Sequence, residues 1–218
     1  HSSVASYLAP LKNALPTFLK VAFIPGARIP STPVLPNPRV TRVVISPCAS
    51  HPLRNWPANR YAALADHAIR THNARVILVG SPADSEKQYC AEIERTMTEA
   101  PLNICGKDTL KQLIALLGKA DLLIAPDTGP GHIASAMGTD VLGLYAASNP
   151  FRSGPYNSIH LCANRYPEAL EKFTDKNVDT ARWGMKAEFP GAMELITVEE
   201  TCKILDEWIA KRKEEPEV

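Results

Sequence analysis

Apolar residues along this chain fall into short blocks that alternate between two periods. Val43-Val44-Ile45, Val76-Ile77-Leu78-Val79 and Leu122-Leu123-Ile124-Ala125 are continuous runs of strand length. Such runs mark strands buried on both faces of a parallel sheet. Between them, Tyr61, Leu64, Ala65, Ala68 and Ile69 recur at helical spacing, as do Leu110, Leu113, Ile114 and Leu117. The pattern predicts strands over 41–46, 74–80, 102–105, 121–126 and 141–145, with a sixth over 158–163. Helices are predicted from Pro57, from Ser81 to about Thr98, after Thr109, and over 133–137. Strand followed by helix, repeated, predicts an α/β fold built on an open parallel sheet. Right-handed crossovers then bring the loops after the strands to one edge, where ligands bind.

The ends of the chain break this rhythm. Pro25, Pro30, Pro33, Pro36 and Pro38 crowd the segment before the first strand. Proline fixes φ and lacks an N–H, so residues 1–38 are expected to be a connector, and residues 39–218 the folded domain. After the fifth strand, the loop from Ala146 to Tyr156 is polar and turn-rich, and its Arg152 is a candidate phosphate contact. A short helix is expected over 167–173. Thr197-Val198-Glu199-Glu200 reads as a capping box opening a last helix with a stripe of Val198, Cys202, Leu205, Trp208 and Ile209. Lys211 to Glu217 reads as a solvated end.

Composition narrows the function classes. Twenty-four Lys and Arg against 23 Asp and Glu leave a net charge of +1. That balance gives no electrostatic handle on nucleic acid, and no nucleic-acid partner is expected. No apolar run is long enough to span a bilayer. No charged-then-apolar leader opens the sequence, so secretion is not expected; a chain starting with His reads as a fragment or a processed form. The cysteines, Cys48, Cys90, Cys105, Cys162 and Cys202, are odd in number and lack metal-ligand spacing. They read as free thiols of a reducing compartment, mostly packing residues, with Cys48 nearest the candidate site.

Candidate chemistry concentrates at Asp127-Thr128-Gly129-Pro130-Gly131-His132. A buried strand enters this segment and a small, apolar helix leaves it, stopped by Gly138. A helix start offers free N–H groups and the positive end of a dipole, which suits a phosphate or pyrophosphate. Gly129 and Gly131 are expected to supply turn angles and close backbone approach. Asp127, Thr128 and His132 lie around the same point. The plainer reading is a helix-capping turn, with Asp127 as the cap and His132 on the helix surface.

No Gly-x-Gly-x-x-Gly follows the first strand and no Walker lysine motif occurs. Four stretches instead resemble the ADP-heptose:lipopolysaccharide heptosyltransferase family, the family-nine glycosyltransferases. They are Ser46-Pro47-Cys48-Ala49-Ser50 with Arg54-Asn55-Trp56-Pro57, then Val79-Gly80-Ser81-Pro82-Ala83-Asp84, then Gly106-Lys107-Asp108-Thr109-Leu110, and finally Asp127 to Ala134. Their order and spacing across residues 41–156 match the family. Met193 to Glu199 is similar to the family's C-terminal end.

The resemblance implies the C-terminal, donor-binding half of a GT-B enzyme, a Rossmann-like domain facing a partner domain across a cleft. It implies that Asp127, Thr128, Gly129 and His132 hold the diphosphate and sugar. Ala49 and Ser50 would hold phosphate, and Arg54 stands where the family often has lysine. Asp108, with Asp84 or Glu86, would approach the adenosine. No cofactor and no metal are implied. The implied partners are ADP-heptose or a related sugar nucleotide, and a lipopolysaccharide core acceptor contacted mainly by the N-terminal domain. The implied location is the cytoplasm, with peripheral association at the inner face of the inner membrane. The family's catalytic aspartate lies in the N-terminal domain, which this sequence does not contain. The chain is therefore expected to bind donor nucleotide without efficient transfer by itself. Two other readings stay open: a nucleotide-binding module that has lost catalysis, and a GT-B enzyme using another sugar nucleotide.

Overall fold

A computed structural model describes residues 40–214 of the chain. The proline-rich segment assigned to residues 1–38 lies outside the described residues. The strands are β1 (Arg42–Ile45), β2 (Arg75–Leu78), β3 (Leu102–Asn103), β4 (Leu122–Pro126), β5 (Asp140–Tyr145) and β6 (Ala163–Asn164). The helices are α1 (Ala58–His72), α2 (Asp84–Thr96), α3 (Leu110–Leu117), α4 (Gly129–Met137), α5 (Pro150–Ser153), α6 (Tyr166–Thr174) and α7 (Val198–Glu214).

The six strands form one sheet in the order β3-β2-β1-β4-β5-β6, and every pair is parallel. This is the order of doubly wound nucleotide-binding sheets, whose ligand crevice lies where the winding reverses. Here the reversal falls between β1 and β4, aligned Val43 to Leu122 and Ile45 to Ile124.

Strand residues alternate between two cores. Val43, Ile45, Leu78, Ile124 and Leu142 face a larger core shared with Tyr61 and Leu64 of α1 and Leu205 and Trp208 of α7. Val44, Ile77, Leu123 and Val141 face a smaller core shared with Leu117 of α3 and Ala134 of α4. Burial on both faces explains why the strands read as unbroken apolar runs.

Two features hold the ends of elements near the crevice. Trp56 is fully buried and its indole N–H donates to the Ile196 carbonyl at 2.9 Å. The tail before α7 is thereby pinned beside the loop after β1. Gly138 takes a left-handed conformation, φ +82°, and ends α4 as the sequence predicts.

Three expectations are corrected. Residues Tyr156–Leu161 form 3-10 turns on either side of a kink at Ser158, and only Ala163–Asn164 pair as a strand. Neither Gly129 nor Gly131 has a positive φ; they open α4 in helical conformation. The capping box at Thr197 is half made. Thr197 Oγ1 accepts from the Glu200 N–H at 3.1 Å, but the Glu200 carboxylate instead pairs with Arg165 at 3.0 Å.

Candidate functional site

The loops after β1, β2 and β4 meet at the carboxyl edge of the sheet. They enclose a cleft of about 380 Å³ together with the start of α3. Of the residues singled out from sequence, Ala49, Ser50, Glu86, Asp108 and Thr128 line it. Val79, Pro82, Leu110 and Leu113 give it an apolar wall.

Thr128, in extended conformation, is the N-cap of α4, and Asp127 is not. Thr128 Oγ1 donates to the Cys48 carbonyl at 3.2 Å, tying the β4 loop to the β1 loop. Pro130 has no N–H, and the Gly131 N–H donates to the Thr128 carbonyl at 3.1 Å. The N–H of Gly129, first in the helix, has no partner within the helix ladder. Nothing lies within 4 Å of where a Gly129 Cβ would stand. Gly129 therefore presents bare backbone beside open space, at the positive end of the helix. His132 is exposed in the first turn of α4.

Asp127 is buried, 7 % exposed, at the end of β4. Lys186 Nζ lies 2.7 Å from its Oδ2, Ser153 Oγ donates to the same oxygen at 3.1 Å, and Arg54 Nη1 stands 3.7 Å away. Burial pushes the Asp127 carboxyl up. The Lys186 ammonium, with Ser148 and Ser153, outweighs it and holds the group below the usual carboxylate range. Arg54 also donates to the Asp127 carbonyl at 3.4 Å and to Ser50 Oγ at 3.3 Å. Its Nε lies 2.8 Å from Glu188 Oε1, a contact of charges not aligned as a hydrogen bond. Two cations and two carboxylates thus converge beside the α4 N-terminus.

Other assigned residues sit less centrally. The Ala49 N–H donates to Asn55 Oδ1 at 2.8 Å. Glu86 Oε2 accepts the Ser81 N–H at 2.8 Å and so shapes the loop after β2. Burial pushes the Asp108 carboxyl up. Asp84 points to solvent, paired with Lys87 at 2.9 Å, and does not line the cleft. Arg152 is exposed and lies over Gly184; its neighbour Ser153 is the loop residue that reaches Asp127. Cys48 lines the cleft, but burial pushes its thiol up to about 12, which makes it a poor nucleophile. All five cysteines are free.

Lys186 and Glu188 are the site residues that sequence reasoning missed. They belong to irregular chain between α6 and α7. The Ala187 N–H donates to the Ala147 carbonyl at 2.9 Å, just past the end of β5, and Ala187 is fully buried. With Ala187 buried, Lys186 and Glu188 on either side of it reach Asp127 and Arg54. The alternation Lys186-Ala187-Glu188 is the only trace of this in the sequence.

An open parallel α/β sheet with a cleft at its winding reversal defines a Rossmann-like fold. Residues 35–179 match the model of glycosyltransferase family 9 (heptosyltransferase). The chain belongs to that family. It is 40% identical over 157 residues to lipopolysaccharide core heptosyltransferase OpsX of Haemophilus influenzae, covering 72% of this chain and 45% of that protein. It is 31% identical over 127 residues to lipopolysaccharide heptosyltransferase 3 of Escherichia coli K12, covering 57% and 37%. Among solved structures, Escherichia coli ADP-heptose lps heptosyltransferase II shares the fold with a TM-score of 0.61 at 21% identity, over 81% of this chain and 48% of that one. A family 9 glycosyl transferase from Veillonella parvula does so with a TM-score of 0.60 at 23% identity, over 79% and 46%. The chain spans less than half the length of the curated relatives it matches.

Proposed function

We propose that this chain is the donor-binding half of a heptosyltransferase that moves heptose from ADP-heptose to a lipopolysaccharide core. The observation that carries the reading is the meeting of Arg54, Lys186 and the bare Gly129 start of α4 around Asp127. A diphosphate needs cations and backbone N–H groups held in place before it arrives, and this corner provides both. The apolar wall beside Asp108 and Glu86 has the character of a base-binding pocket. Membership of family 9 and the 40% identity to a core heptosyltransferase support the sugar and the acceptor.

In this reading Asp127 and His132 face the sugar and diphosphate, and Asp127 holds Lys186 and Arg54 in position. Thr128, Gly129 and Ser50 complete the phosphate side. The domain's part in the reaction is electrostatic: it stabilises negative charge growing on the leaving diphosphate. Residues 39–218 would form this half, with residues 1–38 leading into it. Acting on a nucleotide sugar and a lipid-linked core, the enzyme would work in the cytoplasm at the inner membrane face. Among the described residues, no helix is long and apolar enough to cross a membrane.

The test is calorimetric titration with ADP and UDP. The reading expects saturable ADP binding, much weaker UDP binding, and loss of ADP affinity in Asp127→Ala and His132→Ala. Equal affinity for UDP would favour another sugar-nucleotide donor. ADP binding untouched by both substitutions would remove the site assignment.

A further inference from the structure

At the far end of α1, away from the cleft, two imidazoles and a carboxylate converge. His67 Nε2 lies 2.7 Å and His72 Nε2 2.5 Å from one and the same oxygen, Asp206 Oδ1. One ligand atom from each of the three residues lies within 4.8 Å of the others. The rings meet edge to face, with centroids 5.6 Å apart. The histidines are five positions apart, so on an ideal helix they would point about 140° apart. They converge because His72 is the last residue of α1, where the chain turns through left-handed Asn73, φ 52°. Asp206 comes from α7, the helix packed against α1.

We propose that His67, His72 and Asp206 form a binding site for a divalent metal ion of the zinc type, clipping the C-terminal helix to α1. Two imidazole nitrogens and one carboxylate oxygen are a ligand set that such borderline ions take up readily. All three side chains are partly exposed, at 28 %, 11 % and 44 %, which leaves room for water as a fourth ligand. Ligands about 2.0–2.1 Å from a tetrahedral ion stand roughly 3.3 Å from one another. Asp206 must therefore retreat by less than about 1 Å from its present contacts, a movement open to the most exposed of the three. Thr71 Oγ1 lies 3.3 Å from His67 Nδ1. Its hydroxyl donates to that nitrogen when Nε2 bears the proton, and accepts from it when Nε2 binds a metal. It thus serves as the outer partner that metal-bound histidines use.

Cysteine spacing gave no hint of such a site, because the ligands are histidines on one helix and an aspartate 134 residues further on. The fifteen-residue length of α1 sets the site about 20 Å from the donor corner, so metal and nucleotide should bind independently.

The experiment is a titration of the tag-free chain with Zn²⁺, followed by calorimetry and thermal melting. The expected result is one equivalent bound, a raised melting temperature, and unchanged ADP affinity. His72→Ala and Asp206→Ala should each lose at least tenfold in Zn²⁺ affinity and abolish the melting shift. His67→Gln, at a position more exposed than His72, gives the same reading if either of those variants folds poorly. No saturable Zn²⁺ binding, or binding that survives all three substitutions, would overturn the proposal.

Discussion

Buried carboxylates set both the ligand chemistry and the acid limit of this domain. Lys186 neutralises Asp127, and in the proposed reading it also meets the incoming diphosphate. Lys186→Ala should weaken ADP binding about tenfold or more, since a hydrogen bond to a charged group contributes roughly 1.5–3 kcal/mol. Calorimetry checks this, with Lys186→Arg expected to recover part of the affinity. Asp121 is the second such group: it accepts from the Arg42 N–H at 2.7 Å and pairs with Arg212 at 2.6 Å. Burial raises its carboxyl, and the two arginines bring it below the usual range. A carboxyl lowered in the fold stabilises above its unfolded pKa, and that share is lost as pH falls through the folded value. Thermal stability should therefore hold near neutral pH and fall as acidification protonates Asp121 and Asp127, below about pH 4. Asp121→Asn should cost about 2 kcal/mol at pH 7, less than for a fully buried pair because both arginines are partly exposed, and should flatten the acid limb of the melting curve. At this scale the sequence was uneven as a guide. Asp127 announces itself, because it ends an apolar strand before a glycine. Lys186 does not, because its placement depends on one backbone bond to Ala147, forty residues earlier in the chain.

Elements were readable where apolar period and tertiary burial agree. β1, β2 and β4 are buried on both faces and read as unbroken runs. The stretch 158–163 misled because Ile159, Leu161 and Ala163 alternate like a strand. In the fold, the buried residues Ser158 and Leu161 sit three apart, the repeat of a 3-10 helix, and Ser158 Oγ donates to Asp140 Oδ1 at 3.2 Å. Composition cannot say which of two periods a short segment will follow when a single hydrogen bond decides. The glycines of the Asp127 turn misled in the other direction: they are there for open space beside the backbone, not for unusual angles. Gly138 is the position that does need them, at φ +82°. Gly138→Ala should destabilise by about 1 kcal/mol, the penalty of a Cβ in left-handed conformation. For a domain of this size that lowers the melting temperature by about 2–4 °C. ADP affinity should stay within about twofold, because Gly138 lies at the opposite end of α4 from the proposed diphosphate site.

Beside the N-terminus of α4, both carboxylates are tied to cations. Asp127 is held by Lys186, and Glu188 stands against Arg54. A general base must take a proton at working pH, and a carboxylate stabilised in its charged form does so poorly. Inverting transfer of a sugar to a hydroxyl needs such a base on the acceptor side, facing the anomeric carbon from across the cleft. In the proposed reading the domain's own groups stabilise the departing diphosphate instead, and the chain spans less than half the length of its curated relatives. The chain should therefore bind ADP and an ADP-sugar with ordinary affinity yet release no heptose to a core acceptor above the uncatalysed rate. Adding the N-terminal half of a family 9 relative in trans should give measurable turnover, and that rate should fall with Lys186→Ala or Asp127→Ala. Full turnover by the chain alone would place a competent base among these residues and would end the assignment of a purely electrostatic role.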